Sequence, residues 1–229
     1  MNSTDVRRSW AERSGEYSPA YYAYYGPNET SELLRGLLAR TVGTDASVLE
    51  VGCSSGRHLS HLLDHEFSDL SGIEVNEDAL DVMAETYPAL AAEGTFYLDA
   101  VEDVVCGFED DRFDAIYSVQ TLQHLHPDIE WVFDELVRVA GELLVTVENE
   151  RQAVGDGRDD AADPSGDPPV SHVNDEFPLY HRNWGNVFTA RGCREADVGA
   201  ELGVDVPDDH RETVRAFRPP SEDGGRTGR

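Results

Sequence analysis

The segment 48–59 combines an acidic residue with small residues at a spacing that suits ligand binding. Glu50 lies in a short apolar run, and Gly52, Ser54 and Gly56 follow at every second position. A buried strand, a tight turn and a helix start in this order place backbone N–H groups and a carboxylate around a nucleotide-like ligand. The segment therefore predicts a nucleotide-type site at the end of the first strand.

The spacing of the small residues separates the ligands that such a turn can bind. A dinucleotide fingerprint, Gly-x-Gly-x-x-Gly, would need glycine at Ser54 and at Arg57. A P-loop needs a lysine, and all 18 basic residues of this chain are arginine. The remaining pattern is acid-x-Gly-x-small-x-Gly, which resembles the first motif of the class I methyltransferases that use S-adenosylmethionine (SAM). Ser54 departs from the glycine most frequent in that family, and serine is small enough for the turn.

The resemblance covers residues 47–147 well and residues 184–217 loosely. It implies SAM as the cofactor and transfer of its methyl group. In that family the first motif runs beneath the methionine part of SAM, and an acid at the position of Glu50 lies near the amino end. A carboxylate there favours the ammonium group, although capping of the next helix is an alternative. The resemblance thus implies a methionine subsite made of Glu50, Gly52, Cys53, Ser54 and Gly56.

Two further predicted strands also end in acidic residues. Glu74 ends the second strand, and its two oxygens could accept both ribose hydroxyls, or it could be a solvated acid. The resemblance places Val75 and Asn76 beside the adenine. It also implies that Asp99 accepts from the adenine amino group and that the N–H of Ala100 serves a ring nitrogen. A helix cap at 101 is an alternative role for Asp99.

The fourth strand and its exit supply candidates near the transferred methyl group. The resemblance places Ser118 and Val119 there. His124 is the candidate general base because imidazole titrates near neutral pH, and a histidine bonded to backbone is an equal alternative. A sulfonium is already a strong electrophile, so alignment of the acceptor is the main requirement. We therefore expect neither a catalytic triad nor a metal.

Aromatic residues cluster in the segment 10–28 and could close over the cofactor, since tyrosine offers a face to the sulfonium cation. The segment 180–184 enters the region where the resembled family contacts its acceptor. Arg182 could hold a carboxylate or phosphate of the acceptor, or pair with a surface acid. The candidate lid and acceptor residues are Tyr21, Tyr25, Tyr180, His181, Arg182 and Trp184.

The order of apolar segments predicts an α/β fold. Helices alternate with strands, which is typical of a Rossmann-like, doubly wound and mostly parallel seven-stranded sheet with helices on both faces. We expect an aromatic N-terminal helical cap over 1–45, with Thr30 as a helix cap, and a SAM-binding domain over 46–218. We also expect an acidic loop insert over 149–178 and a flexible tail over 219–229. The strands are predicted at 47–51, 70–74, 95–98, 113–118, 142–147, 194–198 and 212–217.

Charge and composition limit the partners. With 46 acidic and 18 basic residues the net charge is −28, which resembles proteins of salt-accumulating halophiles. Concentrated salt would screen this self-repulsion, so we expect low stability in dilute buffer. The acidity disfavours a nucleic-acid partner. The absence of a long apolar run or signal segment, together with three cysteines, predicts a cytoplasmic protein outside the membrane.

The sequence therefore predicts a SAM-dependent methyltransferase of a small molecule, with an oxygen, nitrogen or carbon acceptor. An NAD-dependent enzyme would have glycine at positions 54 and 57. A SAM-binding regulatory protein without catalysis stays an alternative. An RNA or protein methyltransferase is disfavoured, because Ser-Val-Gln-Thr stands at 118–121 in place of Asn-Pro-Pro-Tyr. The sequence does not predict the oligomeric state.

Overall fold

The computed structural model describes residues 2–150, 168–173, 177–207 and 210–220. It confirms the predicted α/β fold with a seven-stranded, mostly parallel sheet. The strands are β1 Ser47–Val51, β2 Asp69–Glu74, β3 Thr95–Leu98, β4 Phe113–Val119, β5 Ala140–Glu148, β6 Val170–Val173, β7 Phe177–Tyr180, β8 Arg194–Ala196 and β9 Thr213–Arg218. The helices are α1 Ser3–Ala11, α2 Pro19–Tyr25, α3 Glu29–Thr41, α4 Arg57–Leu63, α5 Asp78–Thr86, α6 Pro88–Glu93, α7 Val101–Val104, α8 Val132–Val139 and α9 Trp184–Thr189.

The strand order β3-β2-β1-β4-β5-β9-β8 brings the ends of the first strands together. β3, β2, β1, β4 and β5 run parallel, while β9 is antiparallel to both of its neighbours. Val51 lies opposite Ile73 of β2 and Ser118 of β4. The strand order reverses between β1 and β4, and crevices at such points bind ligands in doubly wound sheets.

Helices bury apolar side chains on both faces of the sheet, as predicted. On one face the leucines of α3 and α4 pack with Met83 and Leu90. On the other face Phe133 of α8 packs with Trp184 and Phe188 of α9. The two faces fix the sheet as a rigid platform, so that residues at its carboxyl edge are held in place.

The N-terminal region differs from the predicted cap in one respect. α3 begins two residues earlier than a cap at Thr30 predicts, because Asn28 caps it and forms a reciprocal capping box with Ser31. Thr30 is therefore a buried first-turn residue, and its hydroxyl lies 3.2 Å from Nε2 of His210. The four buried leucines of α3 pack on the sheet. Of the three N-terminal helices, α1 and α2, with the chain between them, lie over the carboxyl edge.

The predicted acidic insert at 149–178 is only partly a loop. The segments 170–173 and 177–180 form an antiparallel hairpin, with Val173 opposite Phe177. Phe177 is 1% exposed because its ring packs on Trp10, 4.5 Å away between ring centroids. Each of these strands has only four residues and lies beside prolines, so the alternation of apolar and polar residues is too short to predict a strand. Residues 151–167 and 174–176 of the predicted insert, and residues 221–229 of the predicted tail, lie outside the described residues.

A search of the described residues for a helix with the length and apolarity to cross a bilayer finds none.

Candidate functional site

A cavity of about 320 Å³ lies at the carboxyl edge of the sheet, where β1, β2 and β4 end. α1 and the chain leading into α2 form its opposite wall. Most of the site residues expected from the sequence line this cavity. These are Glu50, Gly52, Cys53, Ser54, Glu74, Val75, Asn76, Asp99, Ala100, Val119 and His124.

The turn after β1 has the shape that its small residues predict. Gly52, Ser54 and Gly56 all adopt positive φ, at 73°, 48° and 80°. The N–H groups of Gly52 and Cys53 both donate to the carbonyl of Ile73, which fixes the turn to β2. A Cβ at Gly56 would lie 2.6 Å from a methyl carbon of Leu90, so glycine is required there for packing. Gly56 therefore supports the turn from behind and is not part of the described cavity wall.

Glu50 is a carboxylic acid in an apolar surrounding. It is 1% exposed, and the hydroxyl of Tyr117 donates to its Oε2 at 3.0 Å. Burial raises the pKa of Glu50 to about 8, with a smaller upward contribution from the charge of Glu74. The Tyr117 bond and the nearby Arg57 oppose this rise. A group of this kind gains most from a cationic ligand, which would favour its charged form.

Glu74 is held in one orientation by the backbone. Its Oε2 accepts from the N–H of Ser54 at 2.8 Å, and its Oε1 accepts from Val75 at 2.8 Å and Asn76 at 2.9 Å. Burial raises its pKa, and these three bonds oppose the rise. Each oxygen of a carboxylate can accept a second hydrogen bond. Oε1 already accepts two bonds and Oε2 accepts one, so Glu74 can accept from one further hydroxyl, at Oε2, while it keeps its backbone bonds, and not from the two hydroxyls expected from the sequence.

Asp99 does not cap the helix that follows it. α7 begins at Val101 and Ala100 takes the cap position. The Oδ1 of Asp99 accepts from the N–H of Ala100 at 2.8 Å, the group that the family resemblance assigns to an adenine nitrogen. Asp99 and Ala100 both line the cavity, so the Asp99 carboxylate and the Ala100 N–H lie side by side in its wall.

His124 has both ring nitrogens occupied. Its Nδ1 lies 2.8 Å from the carbonyl oxygen of Pro178, and its Nε2 lies 3.2 Å from the amide nitrogen of Gln123. A carbonyl only accepts and an amide N–H only donates, so Nδ1 carries the proton and Nε2 is the acceptor. Burial lowers the pKa of His124 to about 4. The ring is therefore neutral near pH 7 and is a weaker base than an exposed histidine.

The sequence analysis missed Glu148, which organises the exit of β4. Its side chain is fully buried, and its Oε1 accepts from the hydroxyl of Ser118 at 2.6 Å. The N–H groups of Thr121, Leu122 and Gln123 also donate to this carboxyl, at 3.1–3.2 Å. Ser118 thus faces Glu148, outside the described cavity wall. A carboxylate at the end of an apolar fifth strand was a signal of the same kind as Glu50.

Replacing Glu148 with alanine is expected to lower the free energy of unfolding by about 2–4 kcal/mol, since it leaves buried donors without an acceptor. Thermal or urea unfolding measures this loss. Glu142→Ala is the matched control, because Glu142 lies exposed on the same strand. Equal stabilities of the two variants would contradict the role given to Glu148.

Six residues expected at the lid or acceptor site are absent from the cavity wall that the described residues form. Tyr25 is 61% exposed because one face of α2 turns outward, and its ring lies tilted against that of Tyr21, 4.9 Å away between centroids. Arg182 is buried beneath the cavity region, where it donates to Glu130 at 3.0 Å and to the carbonyl of Leu125 at 2.9 Å. The sequence left two roles open for Arg182, an acceptor ligand or an ion pair, and in the structure it forms the ion pair with Glu130. The other positions outside the wall are Tyr180, His181 and Trp184.

Other residues, from the N-terminal region, form the cavity wall where the lid and acceptor residues were expected. Trp10, Arg13 and Tyr22 line the cavity. The side-chain amide of Asn76 donates to the carbonyls of Trp10 and Arg13, at 3.3 and 3.1 Å, and so fastens this region to β2. The guanidinium of Arg57 lies 4.8 Å from the ring centroid of Tyr22. Sequence patterns give no sign of these contacts, because they join segments more than 30 residues apart.

Comparison with known proteins supports the family resemblance. Residues 48–142 match the family model described as a methyltransferase domain. The chain is also 32% identical, over 109 residues and 44% of its length, to 24-methylenesterol C-methyltransferase 2 of Arabidopsis thaliana. That match covers 28% of the plant enzyme, so the chain spans about a quarter of the length of this curated relative.

Two solved structures share the fold over nearly the whole chain. One is the 1,6-didemethyltoxoflavin-N1-methyltransferase of Burkholderia thailandensis with bound S-adenosylhomocysteine, at TM-score 0.64 and 13% identity, covering 96% of this chain and 87% of that one. The other is the geranyl diphosphate C-methyltransferase of Streptomyces coelicolor A3(2), also with S-adenosylhomocysteine, at TM-score 0.63 and 13% identity. It covers 95% of this chain and 98% of that one. The predicted resemblance to class I SAM-dependent methyltransferases is confirmed.

Proposed function

We propose that this protein is a SAM-dependent methyltransferase that acts on a small molecule. The proposal rests on one observation, that three features lie in one cavity. These are the buried carboxyl of Glu50, the positive-φ turn from Gly52 to Gly56, and the backbone-held carboxyl of Glu74. All three lie within the matched methyltransferase domain.

In this proposal the methionine part of SAM lies against the turn. Gly52 and Cys53 offer backbone at close range, and Glu50 receives the ammonium group of the cofactor. Arg57 also lines the cavity and stands close enough to Glu50 to lower its pKa. A carboxylate beside a guanidinium matches the two opposite charges of an amino-acid group.

The adenosine part would lie toward β2 and β3. Glu74 accepts one ribose hydroxyl through the remaining lone pair of its Oε2. Val75 and Asn76 pack beside the adenine ring, and Asp99 with Ala100 meets its polar edge. These positions line the cavity in the order of the strands, so that one extended ligand reaches them all.

The acceptor is proposed to lie near Trp10 and His124, whose rings are 4.7 Å apart between centroids. Leu125 and Ile129 line the same region. When bound, SAM supplies a methyl group on a sulfonium, and the protein has to orient the acceptor in line with that bond. His124 is neutral and both of its ring nitrogens are hydrogen-bonded within the protein, so its proposed part is to pack a ring face against the acceptor.

A small-molecule acceptor is favoured by the cavity volume of about 320 Å³ and by the largely apolar wall. The two similar structures hold 1,6-didemethyltoxoflavin and geranyl diphosphate, which are small molecules. We further propose that the protein works in the cytoplasm of a halophile, without a nucleic-acid partner. The net charge of −28 and the absence of lysine support this.

Transfer of a labelled methyl group tests the proposal. The protein is incubated in concentrated KCl with methyl-labelled SAM and a panel of phenols, amines, carboxylates and isoprenoids. We expect label in at least one small molecule, with an equal amount of S-adenosylhomocysteine. Label recovered only in added RNA or protein would contradict the acceptor class. Tight SAM binding without transfer to any acceptor would instead favour a regulatory protein.

A further inference from the structure

Three side chains of metal-ligand type lie together on the surface, outside the described cavity wall. Glu32 belongs to α3, His61 to α4, and His65 to the turn after α4. One ligand atom from each lies within 4.8 Å of the other two. We propose that this cluster binds Zn²⁺, or a divalent ion of similar chemistry, through two imidazoles and one carboxylate.

The hydrogen bonds of the cluster prepare His65 for a metal. Its Nδ1 lies 2.7 Å from the carbonyl oxygen of His61, so Nδ1 carries the proton and Nε2 keeps a lone pair. Histidines that bind metals usually donate their other N–H to a carbonyl or carboxylate in this way. The two residues are four apart, and their ring centroids are 4.4 Å apart, so both rings lie on one side of the helix end.

Glu32 offers a carboxylate that is charged and fixed. Arg35 donates to both of its oxygens, and Nε2 of His61 lies 3.1 Å from Oε2. In the metal-free protein Nε2 of His61 donates to this carboxylate, and a metal would take the place of that proton. Its Oε2 can bind a metal while Oε1 keeps its bond to Arg35. That bond would then hold a ligating carboxylate in orientation, as outer partners commonly do.

The distances suit a tetrahedral ion. Zn–N and Zn–O lengths of about 2.1 Å separate neighbouring ligand atoms by roughly 3.4 Å. Nε2 of His61 and Oε2 of Glu32 are already 3.1 Å apart, and the ligand atom of His65 lies within 4.8 Å of both. Water would occupy the fourth position.

The ion would join α3 to α4 at the surface. The same two helices already meet in the interior, where the hydroxyl of Ser31 lies 2.8 Å from Nδ1 of His58. α4 starts at Arg57, which lines the cavity. The site would therefore be structural, and it does not depend on the proposed methyl transfer. The proposal departs from the expectation of no metal, and the spacing His-x-x-x-His at 61 and 65 is the sequence feature that supports it.

Titration of chelator-treated protein with Zn²⁺, followed by calorimetry, tests the inference. Co²⁺ serves as a second probe, because tetrahedral coordination gives it a visible absorption band. We expect one ion per chain, and at least about tenfold weaker binding in His65→Gln and in Glu32→Gln. His172→Gln is the control, because His172 is exposed on β6 and lies outside the cluster. It should bind as the unaltered protein does.

Thermal unfolding measures zinc binding independently. Saturating Zn²⁺ should raise the unfolding temperature of the unaltered protein and of His172→Gln, and leave that of His65→Gln unchanged. Binding of equal strength in His65→Gln and in the unaltered protein would overturn the inference. So would a failure of the unaltered protein to bind Zn²⁺ at concentrations of about 100 μM.

Discussion

Replacing Glu50 with glutamine is expected to weaken SAM binding roughly 100-fold at pH 8.5, the loss of a charged hydrogen bond in a buried site. Glutamine has the same shape, and its carbonyl can still accept from the hydroxyl of Tyr117. Its amide, however, carries no charge and places N–H groups against the ammonium of the ligand. Calorimetric titration of both proteins with SAM measures the difference.

The same substitution should remove a pH dependence. The pKa of Glu50 in the free protein is about 8, so below that pH the carboxyl must lose a proton before it can pair with an ammonium. SAM affinity should therefore rise with pH by up to about tenfold per unit until pH 8, and then level off. Glu50→Gln should bind with the same weak affinity across this range.

Two controls separate this effect from a loss of structure. A carboxyl whose pKa is raised in the folded state gives stability at low pH that is lost as pH rises through the folded value. Glu50→Gln should thus be at least as stable as the unaltered protein at pH 9. Glu85→Gln, on the exposed side of α5, should keep both the affinity and the pH dependence. A flat pH profile in the unaltered protein would contradict the role of Glu50.

Replacing Glu74 with alanine is expected to weaken SAM binding about 10- to 100-fold, since a ribose hydroxyl loses its charged acceptor. The N–H groups of Ser54, Val75 and Asn76 lose their acceptor as well, so the turn and the end of β2 become less ordered. Titration with SAM and with adenosine measures the loss for the whole cofactor and for the part that carries the ribose.

Glu74→Gln and Glu85→Ala complete this experiment. Glu74→Gln keeps one carbonyl oxygen for the backbone donors, so it should fold well and still bind SAM weakly. Glu85→Ala removes an exposed acid from the neighbouring helix and should leave affinity unchanged. Unaltered affinity in Glu74→Ala would show that the ribose lies elsewhere in the molecule.

The parts of the site that are fixed by local chain geometry could be predicted from the sequence. The turn from Gly52 to Gly56 depends on small residues at alternate positions, and these are visible in the sequence. Glu50 and Glu74 each end an apolar strand, and parallel strands bring their carboxyl ends to one edge. The fold followed from the same alternation of apolar segments.

Contacts between distant segments could not be predicted in this way. Arg182 is a plausible acceptor ligand by residue type, but the fold buries it against Glu130 and the carbonyl of Leu125. The hairpin of β6 and β7 is stabilised by Trp10, about 170 residues away in sequence, so its own short segments carry little signal. Glu148 likewise gains its role from backbone donors after β4.

The most direct test of the central claim is calorimetric titration of the protein with SAM, S-adenosylhomocysteine and NAD. Multimolar KCl is the appropriate solvent, because it screens the net charge of −28. We predict that both adenosyl compounds bind with micromolar Kd and that NAD does not bind. Binding of NAD alone, or no binding of SAM and S-adenosylhomocysteine by the folded protein, would contradict the assignment of this site to SAM.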